Sequence, residues 1–274
     1  GSGRAELLPN YDIVLLVLIK PDHLSVESKA QLSLAIEQWV SMLWDMGVTL
    51  SHSVRTIDEC IADALEDLSI QTSILEGRYL AGDKKIHQIF YAAFNRHFDV
   101  PIFWREKMAE MRQRHAKFDD TPYSLEPNCK ESPGGLRDLH LMLWLAKAAN
   151  IGHTWQELHH NNWLTASQLR LIQRSENQLL AIRAHLHILS KRMENRVLFD
   201  LQTPLAHAFG LFETDGKRAG EHLMQRYYLA ARAIYQQCTL FVQKFELFLS
   251  PPSAPHIAHK IKGFPDFVEV YGLD

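Results

Sequence analysis

Between residues 223 and 245 seven side chains, Leu223, Tyr227, Ala231, Ile234, Cys238, Phe241 and Phe245, recur at steps of four, four, three, four, three and four. Only a helix of 3.6 residues per turn brings such a series onto one side of the chain. A helix of that length, ~34 Å at 1.5 Å per residue, gains most of its stability by burying its stripe against other helices. The sequence supplies them. Thr165-Ala166-Ser167-Gln168 is a capping box opening a helix through Leu169, Ile172, Leu179, Leu186 and Leu189 to about residue 193, and Gly135 leads into Leu136, Leu139, Leu143 and Ala146 on one face. These stripes read as core, not cofactor boxes, and they make the second half of the chain all-helical.

The first half alternates. Residues 13–19 form an apolar strand that Lys20-Pro21-Asp22 ends, and Leu32, Ile36, Trp39, Val40 and Leu43 predict a helix over 28–46 with its apolar face in the core. Gly47 closes that helix, and residues 48–54 alternate as a half-buried strand beside the first. The capping box Thr56-Ile57-Asp58-Glu59 starts a helix expected to reach about residue 80, where Ala81-Gly82-Asp83 ends it. Helices over 85–98 and 103–118 follow, separated by Pro101; the second carries Arg105, Lys107, Arg112, Arg114 and Lys117 as a solvated basic face, or as a holder of nucleotide phosphates.

Residues 119–133 have no period. They contain Pro122, Pro127 and Pro133 before Gly134-Gly135, as a domain junction or a functional loop does. Ser250-Pro251-Pro252-Ser253 reads as a linker, and the tail carries one apolar cluster over 264–270 with no evident pairing partner. The fold class is therefore α+β: a small α/β domain over 1–118, an all-helical domain over 119–250 and a linker or tail over 251–274.

Composition removes several function classes. A net charge of −3, from 29 basic and 32 acidic residues, gives no basic field for nucleic acid. The longest apolar run, 13–19, is far short of the ~20 residues a membrane helix needs. Three widely spaced cysteines, Cys60, Cys129 and Cys238, suit a reducing cytoplasm and a soluble protein. Of the fifteen histidines none stands in His-Glu-x-x-His spacing, and His159-His160 reads as a solvated loop, with metal binding as the alternative.

Chemistry concentrates at the start of the chain. The Gly1-Ser2-Gly3-Arg4 turn opens toward a helical turn whose free backbone N–H groups suit a phosphate, and Asp12 at the head of the strand suits a divalent cation held against it. A plain surface turn is the competing reading. Nucleotidyl transfer needs a triphosphate held in line and metal ions to neutralise developing charge, and two divalent ions about 4 Å apart call for two or three carboxylates together. Strand residues i and i+2 share a face, but here Asp12 is followed by Val14 at i+2, and the neighbouring strand offers Thr49.

The stretch Gly1-Ser2-Gly3-Arg4-Ala5-Glu6-Leu7-Leu8-Pro9-Asn10-Tyr11-Asp12-Ile13 resembles the Gly-Tyr-Gly-Arg-Gly-Glu-Leu…Pro…Ser-Asp-Ile-Asp motif of the bacterial PII uridylyltransferase/uridylyl-removing enzyme family. His52-Ser53-Val54-Arg55-Thr56 is similar to its next block, and residues 123–138, Tyr-Ser-Leu-Glu-Pro-Asn-Cys-Lys-Glu-Ser-Pro-Gly-Gly-Leu-Arg-Asp, to its most distinctive one. Asn195-Arg196-Val197-Leu198-Phe199-Asp200 and Met224-Gln225-Arg226-Tyr227-Tyr228 resemble two more. The resemblance implies a polymerase-β-like nucleotidyltransferase domain followed by a helical domain, binding of UTP or another nucleoside triphosphate with Mg2+, and transfer of UMP to a tyrosine of the PII signalling protein in nitrogen regulation. It implies Asp12 as catalytic and metal-binding residue, and nucleotide contacts from Gly1, Ser2, Gly3, Arg4, Arg55, Lys130, Arg137 and Asp138.

The departures fall on the metal. Val14 and Thr49 stand where the family has its second and third carboxylates, Tyr11 replaces a serine, and Ala5 replaces the last glycine of the turn. Mg2+ binding is therefore expected to be weakened or lost. Two function classes remain: a uridylyltransferase with impaired chemistry, and an inactive nucleotide- or protein-binding regulatory module of the same fold. A glutamine-synthetase adenylyltransferase shares the nucleotidyltransferase motif but not the 126–138 block. Arg4 and Arg55 have Glu6 and Asp58 as alternative partners, and Lys130, Arg137 and Asp138 have a buried salt-bridge network as their alternative role.

Overall fold

A computed structural model of the chain describes residues 7–9, 12–20, 26–214, 216–251, 259–260 and 268–269. The order is β1 (Ile13–Leu18), α1 (Val26–Asp45), β2 (Leu50–Arg55), α2 (Ile57–Glu66), α3 (Leu68–Glu76), α4 (Lys84–His97), α5 (Val100–Ala116), α6 (Leu136–Ala148), α7 (Trp155–His160), α8 (Ala166–Ser190), α9 (Phe199–Ala208) and α10 (Ala219–Leu249). Two short strands, β3 (His259–Lys260) and β4 (Val268–Glu269), pair antiparallel in the tail, so part of the 264–270 cluster expected to lack a partner has one. The expected α+β class holds, with a sheet of only two parallel strands: β1 and β2 align Ile13 with Leu50 and Leu18 with Arg55, and α1 connects them. Among the described residues no helix is long and apolar enough to cross a membrane.

The core lies in the helical half. α6 is its axis: every residue from Leu136 to Ala146 except Arg137 is buried, because α5, α8 and α10 surround it. The α10 stripe enters this core as its spacing requires, with all seven positions buried. At roughly 1.5–3 kcal/mol per fully buried large apolar side chain, that stripe is a major stabilising contribution. A satellite core of Cys60, Ile61, Ala64, Ile74, Phe90 and Phe94 joins α2, α3 and α4.

Five expectations need correction. The helix from Thr56 does not run to residue 80. It keeps its capping box but stops at Asp67, whose extended backbone (φ −128°, ψ 112°) lets its carboxylate accept from Ser69 N at 2.6 Å and Ile70 N at 3.3 Å and cap α3. Pro101 does not separate helices. It sits in the first turn of α5, where its missing N–H costs nothing, behind the cap from Asp99 to Ile102 N at 2.8 Å. His159 and His160 lie in the last turn of α7 rather than a loop, His159 sharing a 2.8 Å hydrogen bond with Leu164 O.

The α1 face is not a full core: among its described side chains only Val40 is buried, and Trp39 is exposed, because two strands offer too little surface to cover a twenty-residue helix. The basic face of α5 is only partly solvated. Lys107 is 3% exposed and Arg114 lies against the following loop, since this side of α5 packs on α6. The helix α9 carries Pro204 in its interior and had no signal in the spacing; it is held by packing on α8 and α10.

Candidate functional site

The strand face expected to hold a metal is open. Asp12 immediately precedes β1 and is exposed, Val14 at i+2 is 63% exposed, and the registered neighbour of Val14 on β2 is Ser51. Thr49 lies just before β2 and is exposed; its carbonyl accepts from Ile13 N at 2.9 Å. One carboxylate beside a valine and hydroxyl side chains does not supply the anionic oxygens that a pair of hard divalent cations requires. Among the described residues no three His, Cys, Asp or Glu side chains are grouped to hold a metal ion. The described residues therefore do not fit the pair of divalent ions that nucleotidyl transfer calls for, and offer the Mg2+ implied by the resemblance a single carboxylate. Gly1, Ser2, Gly3, Arg4 and Glu6 lie outside the described residues.

Arg55 ends β2 and forms an ion pair with Asp63 on α2, not with Asp58. Asp63 lies near the C-terminal end of α2, and the pair ties the sheet to that helix. The start of the chain also reaches the helical half, where the imidazole of His187 on α8 hydrogen-bonds to the carbonyl of Pro9.

Lys130, Arg137 and Asp138 belong to one built structure. The segment 127–129 lies antiparallel to 195–197, with Cys129 N donating to Asn195 O at 2.8 Å and Val197 N to Pro127 O at 2.9 Å. Asn128 Oδ1 accepts from Lys130 N at 3.0 Å and Glu131 N at 2.9 Å, and Ser132 Oγ accepts from Asn128 N at 2.9 Å. This turn feeds Gly134, whose φ of +75° only glycine adopts readily, and a Cβ there would stand 2.1 Å from Ala231 O on α10. The chain thus approaches α10 at backbone distance before α6 begins.

Asp138, in the first turn of α6, locks that approach. Its Oδ2 accepts from Gly134 N at 2.7 Å, and its Oδ1 accepts from Arg114 Nη2 at 2.6 Å and meets His115 Nε2 at 2.9 Å. Burial pushes the Asp138 carboxyl up, but the hydrogen bond to His115 and the charge of Arg114 outweigh it and hold it below the usual carboxylate range. Fully buried, with both oxygens engaged, Asp138 holds the junction.

Glu131 gathers the remaining cations. Its Oε1 lies 3.1 Å from both Arg137 Nη2 and Lys130 Nζ, while Arg114 Nη1 donates to its carbonyl at 2.8 Å. Burial raises the Glu131 carboxyl and Arg137 and Lys130 lower it, with a net result below the usual range; burial likewise brings the Lys130 ammonium down. Arg137 and Lys107 both lie over Trp144, 5.3 and 4.6 Å from the ring centroid, and Trp144 Nε1 donates to Glu76 at 2.7 Å. Sequence spacing gave no sign of the partners Arg114, His115 and Trp144, because they reach the loop from α5 and α6 through the tertiary fold.

The sequence pattern of the family described as GlnD PII-uridylyltransferase matches residues 102–242, from α5 through most of α10. Relatives named bifunctional uridylyltransferase/uridylyl-removing enzyme are similar over nearly the whole chain. The one from Burkholderia mallei (strain SAVP1) is 44% identical over 254 residues, 93% of this chain and 29% of the relative. That from Ralstonia nicotianae is 45% identical over 273 residues, 100% of this chain and 31% of the relative. The chain thus spans under a third of the length of these curated relatives. No solved structure matches it. On these matches the chain belongs to the GlnD PII-uridylyltransferase family.

Proposed function

We propose that this chain is the nucleotidyl-transfer part of a PII uridylyltransferase-type protein whose transfer step is impaired at the metal. In this reading residues 1–118 form the polymerase-β-like domain, 119–250 the associated helical domain and 251–274 a linker. The acceptor is a tyrosine of a PII protein, the donor is UTP and the compartment is the cytoplasm, where three free buried cysteines stay reduced. The observation that carries the impairment is the exposed face of β1, on which Asp12 has Val14 beside it and Ser51 across from Val14.

Within this reading Gly1, Ser2, Gly3 and Arg4 cradle phosphate, and Arg55, Lys130, Arg137 and Asp138 serve the nucleotide at one remove by fixing the sheet and the junction. The ion pairs of Arg55, Lys130 and Arg137 and the buried triad around Asp138 support that positioning role. A divalent ion neutralises triphosphate charge when it is held; Asp12 alone is a weak holder.

Transfer of labelled UMP from UTP to a cognate PII protein tests the reading, with the full polypeptide carrying this chain compared with its Val14→Asp/Thr49→Glu double variant. The variant is expected to transfer at least about a hundredfold faster, equivalent to ~2.7 kcal/mol of transition-state stabilisation. Equal rates for the two proteins overturn the impairment.

A further inference from the structure

One row of α8, Ser175, Leu179, Arg183 and His187 at steps of four, is buried, yet three of its four side chains are polar. An apolar residue at these positions enters the core without a desolvation cost, whereas a buried polar group must recover its lost hydration through hydrogen bonds. Arg183 does so inside the helical half, where its Nε donates to Asn195 Oδ1 at 2.6 Å. Asn195 O in turn accepts from Cys129 N at 2.8 Å, in the segment that leads to Lys130, Glu131 and Asp138. His187, one helical turn further along, is fully buried and bonds outward, through Nδ1 to Pro9 O. A carbonyl only accepts, so Nδ1 carries the proton in this bond.

Pro9 is a point where the beginning of the chain is fastened. Leu7 is 61% exposed and Pro9 is exposed, so side-chain packing contributes little to holding this stretch. The ion pairs of the sheet lead elsewhere: Arg55 pairs with Asp63 on α2, and Lys20, just after β1, with Asp83 at the start of α4, 3.5 Å away. The bond to His187 leads instead to α8 and, through Arg183 and Asn195, to the loop before α6. At no more than ~3.5 Å of chain per residue, Arg4 lies within about 18 Å of Pro9 and Asp12 within about 11 Å.

We propose that His187 is a positioning residue for the nucleotide turn. Its Nδ1–H fixes Pro9 O against α8, and so fixes residues 1–4 and Asp12 relative to the junction that Asp138 locks. This role rests on the proposed function, in which those residues hold the nucleotide, and adds a fastening that comes from the helical half. A core histidine that merely satisfies itself on a nearby carbonyl would matter for stability alone.

Calorimetric titration of the full polypeptide with UTP, Val14 and Thr49 intact, tests it through two variants. His187→Leu keeps an apolar group of similar bulk and removes the donor; His187→Asn places an amide nitrogen where Nδ1 stands. His187→Leu is expected to weaken UTP about tenfold, equivalent to ~1.4 kcal/mol, at a temperature where the variant is folded, and His187→Asn to bind within about threefold of the unaltered protein. Equal affinity for the unaltered protein and His187→Leu overturns the role, and so does equal weakening by both variants, since packing and not the donor is then what matters. No UTP binding by the unaltered protein overturns the nucleotide reading and the role with it. Hydrogen exchange on the unaltered protein decides the matter even where His187→Leu does not fold. By reciprocal linkage UTP is expected to slow amide exchange at residues 7–8 and over the last turn of α8, 187–190, together. Protection of 7–8 and β1 with no change at 187–190 overturns the role.

Discussion

Removing the Asp138 carboxylate is the sharpest perturbation of this fold. Asp138→Ala takes from Arg114 Nη2, His115 Nε2 and Gly134 N the buried carboxylate they share, at the point where the chain touches the backbone of α10. Deleting one partner of a buried ion pair costs about 3–5 kcal/mol, against a total stability of about 5–15 kcal/mol for a typical protein. Asp138→Asn keeps the shape but loses the charge-assisted bonds and turns an amide donor toward existing donors, for about 1.5–3 kcal/mol. Chemical denaturation followed by tryptophan fluorescence measures both. The pH dependence gives an independent check. Because the folded carboxyl titrates below its ordinary 3.8, its contribution is complete above that value and disappears as pH falls through the lower folded value. The stability gap between the unaltered protein and Asp138→Asn is therefore constant near neutrality and narrows below pH ~4. A loss under about 1 kcal/mol for Asp138→Ala, or a gap indifferent to acid, would refute the assignment of Asp138 as the lock.

Two further outcomes follow from the same packing. Gly134→Ala combines a positive φ with a Cβ 2.1 Å from the Ala231 carbonyl oxygen, so the loop must leave α10; a loss of at least about 2 kcal/mol is expected in denaturant titration, and a neutral result contradicts the close approach. Lys107→Met retains the stem against Phe103 and Trp144 while removing a buried charge whose pKa burial already lowers. Stability near neutral pH is expected to stay within about 1 kcal/mol of the unaltered protein or to rise, as read by the shift in denaturation midpoint, and a loss above about 2 kcal/mol identifies the Glu110 pair as net stabilising.

The sequence by itself determined what depends on local spacing. The α10 stripe, the capping boxes at Thr56 and Thr165 and the two adjacent strands each follow from side-chain periodicity or from hydrogen bonds within four residues, which the chain carries wherever it is placed. That Asp12 has a valine, Val14, two residues on and that Thr49 stands just before β2 was equally legible, because residue identity alone decides what a strand face offers a cation. What the tertiary structure decided is everything that depends on meeting across the fold. Asp67 chose to cap a new helix rather than continue the old one, Lys107 went inside because α6 covers that side of α5, and Arg55 took Asp63 instead of Asp58. Arg114 and His115 reach Asp138 across more than twenty residues, and Tyr123 meets Tyr228 across more than a hundred. Such pairs have no period to betray them, since their geometry exists only once α5, α6 and α10 have closed around the 119–135 loop.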